Sequence, residues 1–250
     1  MDWNRKIPLC AFLVGILATA SITAGLLLVP TLLFPKPDFA VSLNTSSMIL
    51  IPFGNGNASQ ITIQPVRNFT GIVSLKVTTS AAGITVSFYG NPTNGFQDTV
   101  LLGHAATIGL LVVATMLGNY TVNVIASSGS ISHSNLLRVS VQNLTMTASP
   151  IAQNIARGSS STTKLDMTSV NRFGGNLSLQ ASIIINATRY PDPKSLANLP
   201  ATVILPSGGT VEVIITLQVA QAAQTGSRTV FLEAKKGAWN FVLTFSFNVV

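Results

Sequence analysis

Asn68-Phe69-Thr70-Gly71-Ile72-Val73-Ser74-Leu75-Lys76-Val77 lines up, residue for residue, with Arg172-Phe173-Gly174-Gly175-Asn176-Leu177-Ser178-Leu179-Gln180-Ala181. Each segment opens on an aromatic residue and a turn glycine, then continues with apolar side chains at every second position. That alternation is the signature of a strand with one buried face. Farther along, Gly118-Asn119-Tyr120-Thr121-Val122-Asn123-Val124-Ile125-Ala126 lines up with Gly226-Ser227-Arg228-Thr229-Val230-Phe231-Leu232-Glu233-Ala234. The two matches occur in the same order and at nearly the same separation, so the chain is read as two copies of one domain.

Outward from these anchors, alternation predicts strands over 40–43, 48–51, 60–64, 72–78, 84–88, 107–115, 119–126 and 136–141 in the first copy. The second copy offers 144–148, 162–168, 177–185, 201–205, 210–219, 228–234 and 240–249. The last of these alternates Phe241, Leu243, Phe245, Phe247 and Val249, which gives one wholly apolar face. Short strands at this density, separated by turn signals, predict an immunoglobulin-like β-sandwich in each copy.

Phe69-x-Gly71-x-Val73-x-Leu75 and Gly118-x-Tyr120-x-Val122-x-Val124 also carry a family resemblance. They resemble the Ig-like repeats of bacterial and archaeal surface proteins, with a glycine-aromatic turn before one strand and a Gly-x-Tyr start to a later one. The resemblance covers nearly all of residues 39–250. It implies the fold; for function it implies only a range of roles: spacers, stalks, adhesins, accessory modules of enzymes and filament subunits. The second copy departs from the pattern in two places. Arg228 replaces the aromatic residue, and an extra loop lies between Thr188 and Leu199.

The N-terminus reads differently. No charged residue appears from Ile7 to Phe34, a run longer than the roughly 20 residues a helix needs to cross a bilayer. Arg5 and Lys6 precede it, so the positive-inside tendency leaves the N-terminus in the cytoplasm and exports the rest of the chain. The expected organisation is a cytoplasmic stub and transmembrane signal-anchor α-helix over 1–35, one Ig-like domain over 38–142 and a second over 143–250, all-β beyond the anchor. Ala18-Thr19-Ala20 also has the small-x-small form of a cleavage site, so a cleaved leader competes with the anchor. The sole cysteine, Cys10, sits in this segment without a lipobox, so no intramolecular disulfide is available and each core must hold by packing alone.

Composition narrows the function. Charged residues are 8% of the chain against a usual value of about 25%, and Ser, Thr and Asn supply the polar surface instead. The net charge of +7 is spread thinly, with Arg5-Lys6 and Lys235-Lys236 its densest points. A nucleic-acid partner needs clustered cations facing phosphates, so none is expected. His104 and His133 have no cysteine or carboxylate at metal-ligand spacing, and no metal or cofactor is expected. Beyond the hydrophobic segment the acidic residues Asp38, Asp98, Asp166, Asp192, Glu212 and Glu233 form no close pair in sequence, and no Gly-x-Ser-x-Gly elbow is present. No catalytic residue is nominated.

Seven Asn-x-Ser/Thr sequons are the candidate sites: Asn44, Asn57, Asn68, Asn119, Asn143, Asn176 and Asn186. All lie beyond the hydrophobic segment, on the side a glycosylating enzyme of an archaeal or eukaryotic host reaches. Two loops are candidate contact surfaces, Tyr89 to Phe96 in the first copy and Arg189 to Lys194 in the second. The expectation is a non-enzymatic cell-surface protein. Its partners are membrane lipid through the N-terminal helix, other surface proteins or glycans, and in one reading itself. Two alternatives stand beside it: a filament subunit that donates a strand after leader cleavage, and an accessory carbohydrate-contacting module.

Overall fold

The computed structural model describes residues 35–90, 98–186 and 190–250, and every regular element among them is a β-strand. The expected anchor helix falls within residues 1–34, outside the described residues.

The first nine strands are β1 (Asp38–Leu43), β2 (Ser47–Leu50), β3 (Asn57–Val66), β4 (Gly71–Thr79), β5 (Ile84–Tyr89), β6 (Thr99–Leu102), β7 (Ala106–Ala114), β8 (Gly118–Ser128) and β9 (Ile131–Val141). The next nine are β10 (Asn143–Ser149), β11 (Ala152–Ile155), β12 (Ser160–Val170), β13 (Gly175–Ile185), β14 (Ser195–Asn198), β15 (Thr202–Leu205), β16 (Thr210–Val219), β17 (Gly226–Lys236) and β18 (Trp239–Val249). The first nine form sheets ordered β1-β3-β7-β5 and β2-β9-β8-β4-β6. The second nine form β10-β12-β16-β14 and β11-β18-β17-β13-β15, the same two orders with every strand number raised by nine.

Each pair of sheets packs around one apolar core in an arrangement consistent with an Ig-like sandwich, with one variation. The opening strand is split, so that β1 joins one sheet antiparallel while β2 crosses over to lie parallel to β9 in the other. After β4 the chain crosses to pair β5 with β7, then returns to place β6 beside β4. The extra edge strand beside β4 therefore comes after the crossover instead of before it, and β14 and β15 repeat this with β16 and β13.

Alternation produces the cores. On β8 the inward residues Tyr120, Val122, Val124 and Ala126 are buried, and on β17 so are Arg228, Val230, Leu232 and Ala234. One apolar cluster runs from Phe39 to Val141 and a second from Leu144 to Val249. Each fully buried Leu, Ile or Val contributes roughly 1.5–3 kcal/mol, and clusters of this size stand in for the missing disulfide. The apolar face of the last strand points inward as its sequence predicts, with Phe245, Phe247 and Val249 buried.

The aligned turn before β4 has the same geometry in both halves. Phe69 N–H donates to Val66 O and Phe173 N–H to Val170 O, both at 3.3 Å. The two central residues of each turn, Arg67 and Asn68 or Asn171 and Arg172, have positive φ, as a type I′ turn demands. The β8–β9 and β17–β18 hairpins close over Gly129 and Gly237, with φ of 57° and 58°.

Three differences from the sequence reading stand out. β6, β11 and β14 were not predicted; each is four residues long and lies at a sheet edge, too short to display a period. The segment between Thr188 and Leu199, expected to be only an added loop, holds β14, the counterpart of β5. The strand predicted over 136–141 begins earlier, at Ile131, so His133 lies within β9.

Candidate functional sites

The seven sequons are scattered over both halves, and their side chains are not equivalent. Asn44 Oδ1 accepts from Ser59 Oγ at 2.7 Å and from Gln60 N–H at 2.9 Å, which satisfies the buried Ser59 hydroxyl. Gln153 does the same work in the second half: its Nε2 donates to the buried Thr163 hydroxyl at 2.9 Å. Asn57 and Asn143 each accept from the next residue's amide. Asn186 is held on both sides, donating through Nδ2 to Ser227 Oγ at 2.8 Å and accepting from Thr229 Oγ1 at 2.7 Å. Asn119 approaches Asn171 at 3.5 Å. Asn68, in its turn, and Asn176, on β13, are exposed and make no side-chain hydrogen bond to the described residues.

The two candidate contact loops part company. Residues 91–97 of the first lie outside the described residues, and Tyr89 at its start closes β5 with its ring over Gly109, where an added Cβ would meet that ring at 2.3 Å. In the second loop Arg189 is outside the described residues, Tyr190 is exposed, and Asp192 turns inward. Beside that loop runs an open groove of about 470 Å³ lined by Gly158, Pro193, Lys194, Leu196 and Gln218.

Asp192 meets Arg228. The carboxylate Oδ2 accepts from Arg228 Nε at 2.5 Å, and the two side chains are 2% and 1% exposed. A buried pair of this kind persists only when its remaining donors and acceptors are also satisfied. Here Ser195 Oγ and the Lys194 amide donate to Asp192, while the guanidinium donates to the carbonyls of Gln224, Gly226 and Ser227. Burial pushes the Asp192 carboxyl up, but the hydrogen bonds from Arg228, Ser195 and Lys194 outweigh it and hold the carboxyl below its usual range. In the first half the same position is Tyr120, whose hydroxyl donates to Met116 O at 3.2 Å and lies 3.3 Å from Leu117 O. A tyrosine hydroxyl bonded to a carbonyl a few residues upstream is the arrangement of a tyrosine corner.

The halves are joined at a second polar site. Only Gln142 separates β9 from β10; it is 8% exposed, and its amide donates to Leu50 O at 2.8 Å. From the turn before β13, Asn171 Nδ2 reaches back to Val141 O at 2.7 Å and Gly118 O at 3.0 Å.

Several charged groups elsewhere are tied into local contacts. His133 Nε2 lies 2.8 Å from Asp38 Oδ1, and that hydrogen bond, with the Phe39 amide next, lowers the Asp38 carboxyl. Lys164 bridges Asp166 at 3.4 Å and Glu212 at 2.8 Å. Of the basic pair near the C-terminus, Lys235 contacts Glu233 at 2.6 Å, and Lys236 donates to Gly174 O while its ammonium sits 4.8 Å from the Phe173 ring centroid. Among the described residues no three His, Cys, Asp or Glu side chains converge as metal ligands.

No protein-family model matches the chain, and no curated protein sequence does. Solved structures do resemble it. The D0–D1 domain of intimin is 11% identical, with 85% of this chain and 99% of that one covered at a TM-score of 0.29. A structure described as BspA_C_WT is 9% identical, with 86% and 100% covered at 0.39. The native α-2-macroglobulin of E. coli is 12% identical, with 86% of this chain but only 17% of that one covered at 0.35. The chain likewise spans only 27% of a family 123 glycoside hydrolase from Clostridium perfringens.

Proposed function

We propose that the chain is a non-enzymatic stalk or interaction module displayed outside the cell, built from two tandem copies of one Ig-like domain. Residues 7–34 are its membrane anchor, and the C-terminal sandwiches lie on the extracytoplasmic side. The kinship is with Ig-like repeats of bacterial and archaeal surface proteins.

The observation that carries this reading is the junction. A one-residue connection with a buried side chain, clamped by Asn171 on two carbonyls, makes a stiff joint. A hinge would call for a longer, exposed linker. Stiffness suits a spacer, which must hold its far end at a fixed distance. The charge-free run after Arg5 and Lys6 supports the anchor, and the seven downstream sequons suit an exported domain.

Alkaline carbonate washing of membranes, with protease added to intact cells, tests the reading. The protein is expected to stay in the membrane pellet and to lose its sandwiches to external protease. Quantitative release by carbonate, together with a mature N-terminus beyond Ala20, would remove the anchor and turn the reading towards a secreted or filament-forming protein.

A further inference from the structure

The strands β6 and β15 are counterparts, Thr99-Val100-Leu101-Leu102 and Thr202-Val203-Ile204-Leu205, and each ends a five-stranded sheet with no further strand beside it among the described residues. In both, the third residue points to the outer face and is strongly exposed, Leu101 at 80% and Ile204 at 74%. Unpaired backbone beside a bare aliphatic side chain is a template for another strand, and proteins usually blunt such edges with charges. β15 carries no charge; Pro200 and Pro206 only limit its length.

The residue facing each exposed aliphatic across the ladder differs between the halves. Leu101 faces Ile72, whereas Ile204 faces Asn176, the residue aligned with Ile72. Asn176 opens the sequon Asn176-Leu177-Ser178, with Leu177 buried beneath and Asn176 and Ser178 exposed on the outer face. Its amide is not committed to any neighbour among the described residues, unlike that of Asn186.

We propose that Asn176 is an N-glycosylation site whose glycan lies over Ile204 and covers the free β15 edge, keeping copies of the chain from pairing there. In the linking step the Asn176 Nδ2 bonds to C1 of a lipid-pyrophosphate-linked glycan. The C1–O bond to the pyrophosphate breaks, the amide loses one proton, and the lipid pyrophosphate leaves. A sugar fits this place because it hydrates an apolar edge where β15 has no charged side chain to do so. The inference rests on the extracytoplasmic reading above, since the glycan is added on that side of the membrane.

Peptide mapping of the protein from its own cells, with analytical ultracentrifugation of the wild type and of Asn176→Gln, tests it. The Asn176 peptide is expected to carry hexose-sized mass increments. Asn176→Gln is expected to self-associate about tenfold more tightly, the change given by burying roughly 55 Å² of apolar surface. Adding Ile204→Lys to Asn176→Gln should restore the wild-type constant, which separates edge pairing from misfolding. An unmodified Asn176 beside other glycosylated sequons would overturn the shield while leaving the extracytoplasmic reading intact. Sugar on no sequon at all would overturn the shield as well, and the carbonate and protease tests then decide the extracytoplasmic reading separately. A glycosylated Asn176 whose loss leaves self-association unchanged would also overturn the shield.

Discussion

Arg228 Nε stands 2.5 Å from Asp192 Oδ2 inside the second sandwich, in the place where the first sandwich has the Tyr120 hydroxyl. The correspondence extends to the backbone. Tyr120 donates to the carbonyl four residues upstream, Met116, and Arg228 donates to the carbonyl four residues upstream, Gln224. A guanidinium can thus close the same corner as a phenol, but it brings a charge that the phenol lacks. Asp192, delivered by the longer connection before β14, supplies the counter-charge.

Removing one partner strands the other. Asp192→Ala is expected to cost the second sandwich about 3–5 kcal/mol, because Arg228 would remain buried without a carboxylate. The double variant Arg228→Tyr with Asp192→Ser, which replaces the ion pair by a phenol like Tyr120 and leaves no buried charge, should cost far less, roughly 1–1.5 kcal/mol. Chemical denaturation followed by Trp239 fluorescence, in a Trp3→Phe background, reads the second sandwich directly. Equal losses in the two variants would mean that the ion pair is not what holds this corner.

Acid should find the same pair. The Asp192 carboxyl lies below its ordinary value of 3.8 in the folded chain, because its hydrogen bonds outweigh burial. Its contribution is therefore complete above the unfolded value and is lost as pH falls through the folded one. Wild-type Trp239 fluorescence should report a loss of stability that begins near pH 4 and deepens below it, and Asp192→Asn should flatten that slope. A slope unchanged in Asp192→Asn would assign the acid sensitivity to other carboxylates of the second sandwich, such as Glu233, which Lys235 holds below its ordinary value.

Much of this architecture is legible in the residues alone. Long strands with one buried face announce themselves by alternation, and the aligned residues Phe69 and Phe173 are both buried in equivalent turns. Arg228 and the added segment before Leu199 each stand out as a departure of the second copy. Their connection does not, because Asp192 lies 36 residues from Arg228 and only the β13–β17 ladder brings them together. The edge strands are hidden for a different reason. Four residues such as Ser195–Asn198 contain two periods at most and no β-branched or aromatic residue. Which sequons have free amides also depends on cross-strand neighbours, as Ser227 and Thr229 around Asn186 show.

The first sandwich's corner offers a milder test. Tyr120→Phe keeps the ring and deletes the hydroxyl bonded to Met116 O, so a loss of about 1 kcal/mol is expected. Gly83→Ala should cost more. Its φ is 110°, and the new Cβ would come within 2.5 Å of the Tyr120 hydroxyl and 2.9 Å of Met116 Cβ. Differential scanning calorimetry of the two variants ranks them, and a harmless Gly83→Ala would refute the close packing.

The joint between the sandwiches can be loosened without unfolding either. Asn171 does two things: it occupies a turn position with φ of 52°, and its Nδ2 binds Val141 O and Gly118 O. Asn171→Gly keeps the first and removes the second, since glycine accepts positive φ at little cost. The melting of each sandwich should then move little, while protease cleavage next to Gln142 speeds up and small-angle scattering shows a wider spread of end-to-end distances. Asn171→Ala adds backbone strain of about 1 kcal/mol or more to the loss of the clamp, so it should also lower the second sandwich's melting temperature. If Asn171→Gly is cleaved no faster than wild type, the stiffness resides in the short Gln142 connection and the clamp is incidental to it.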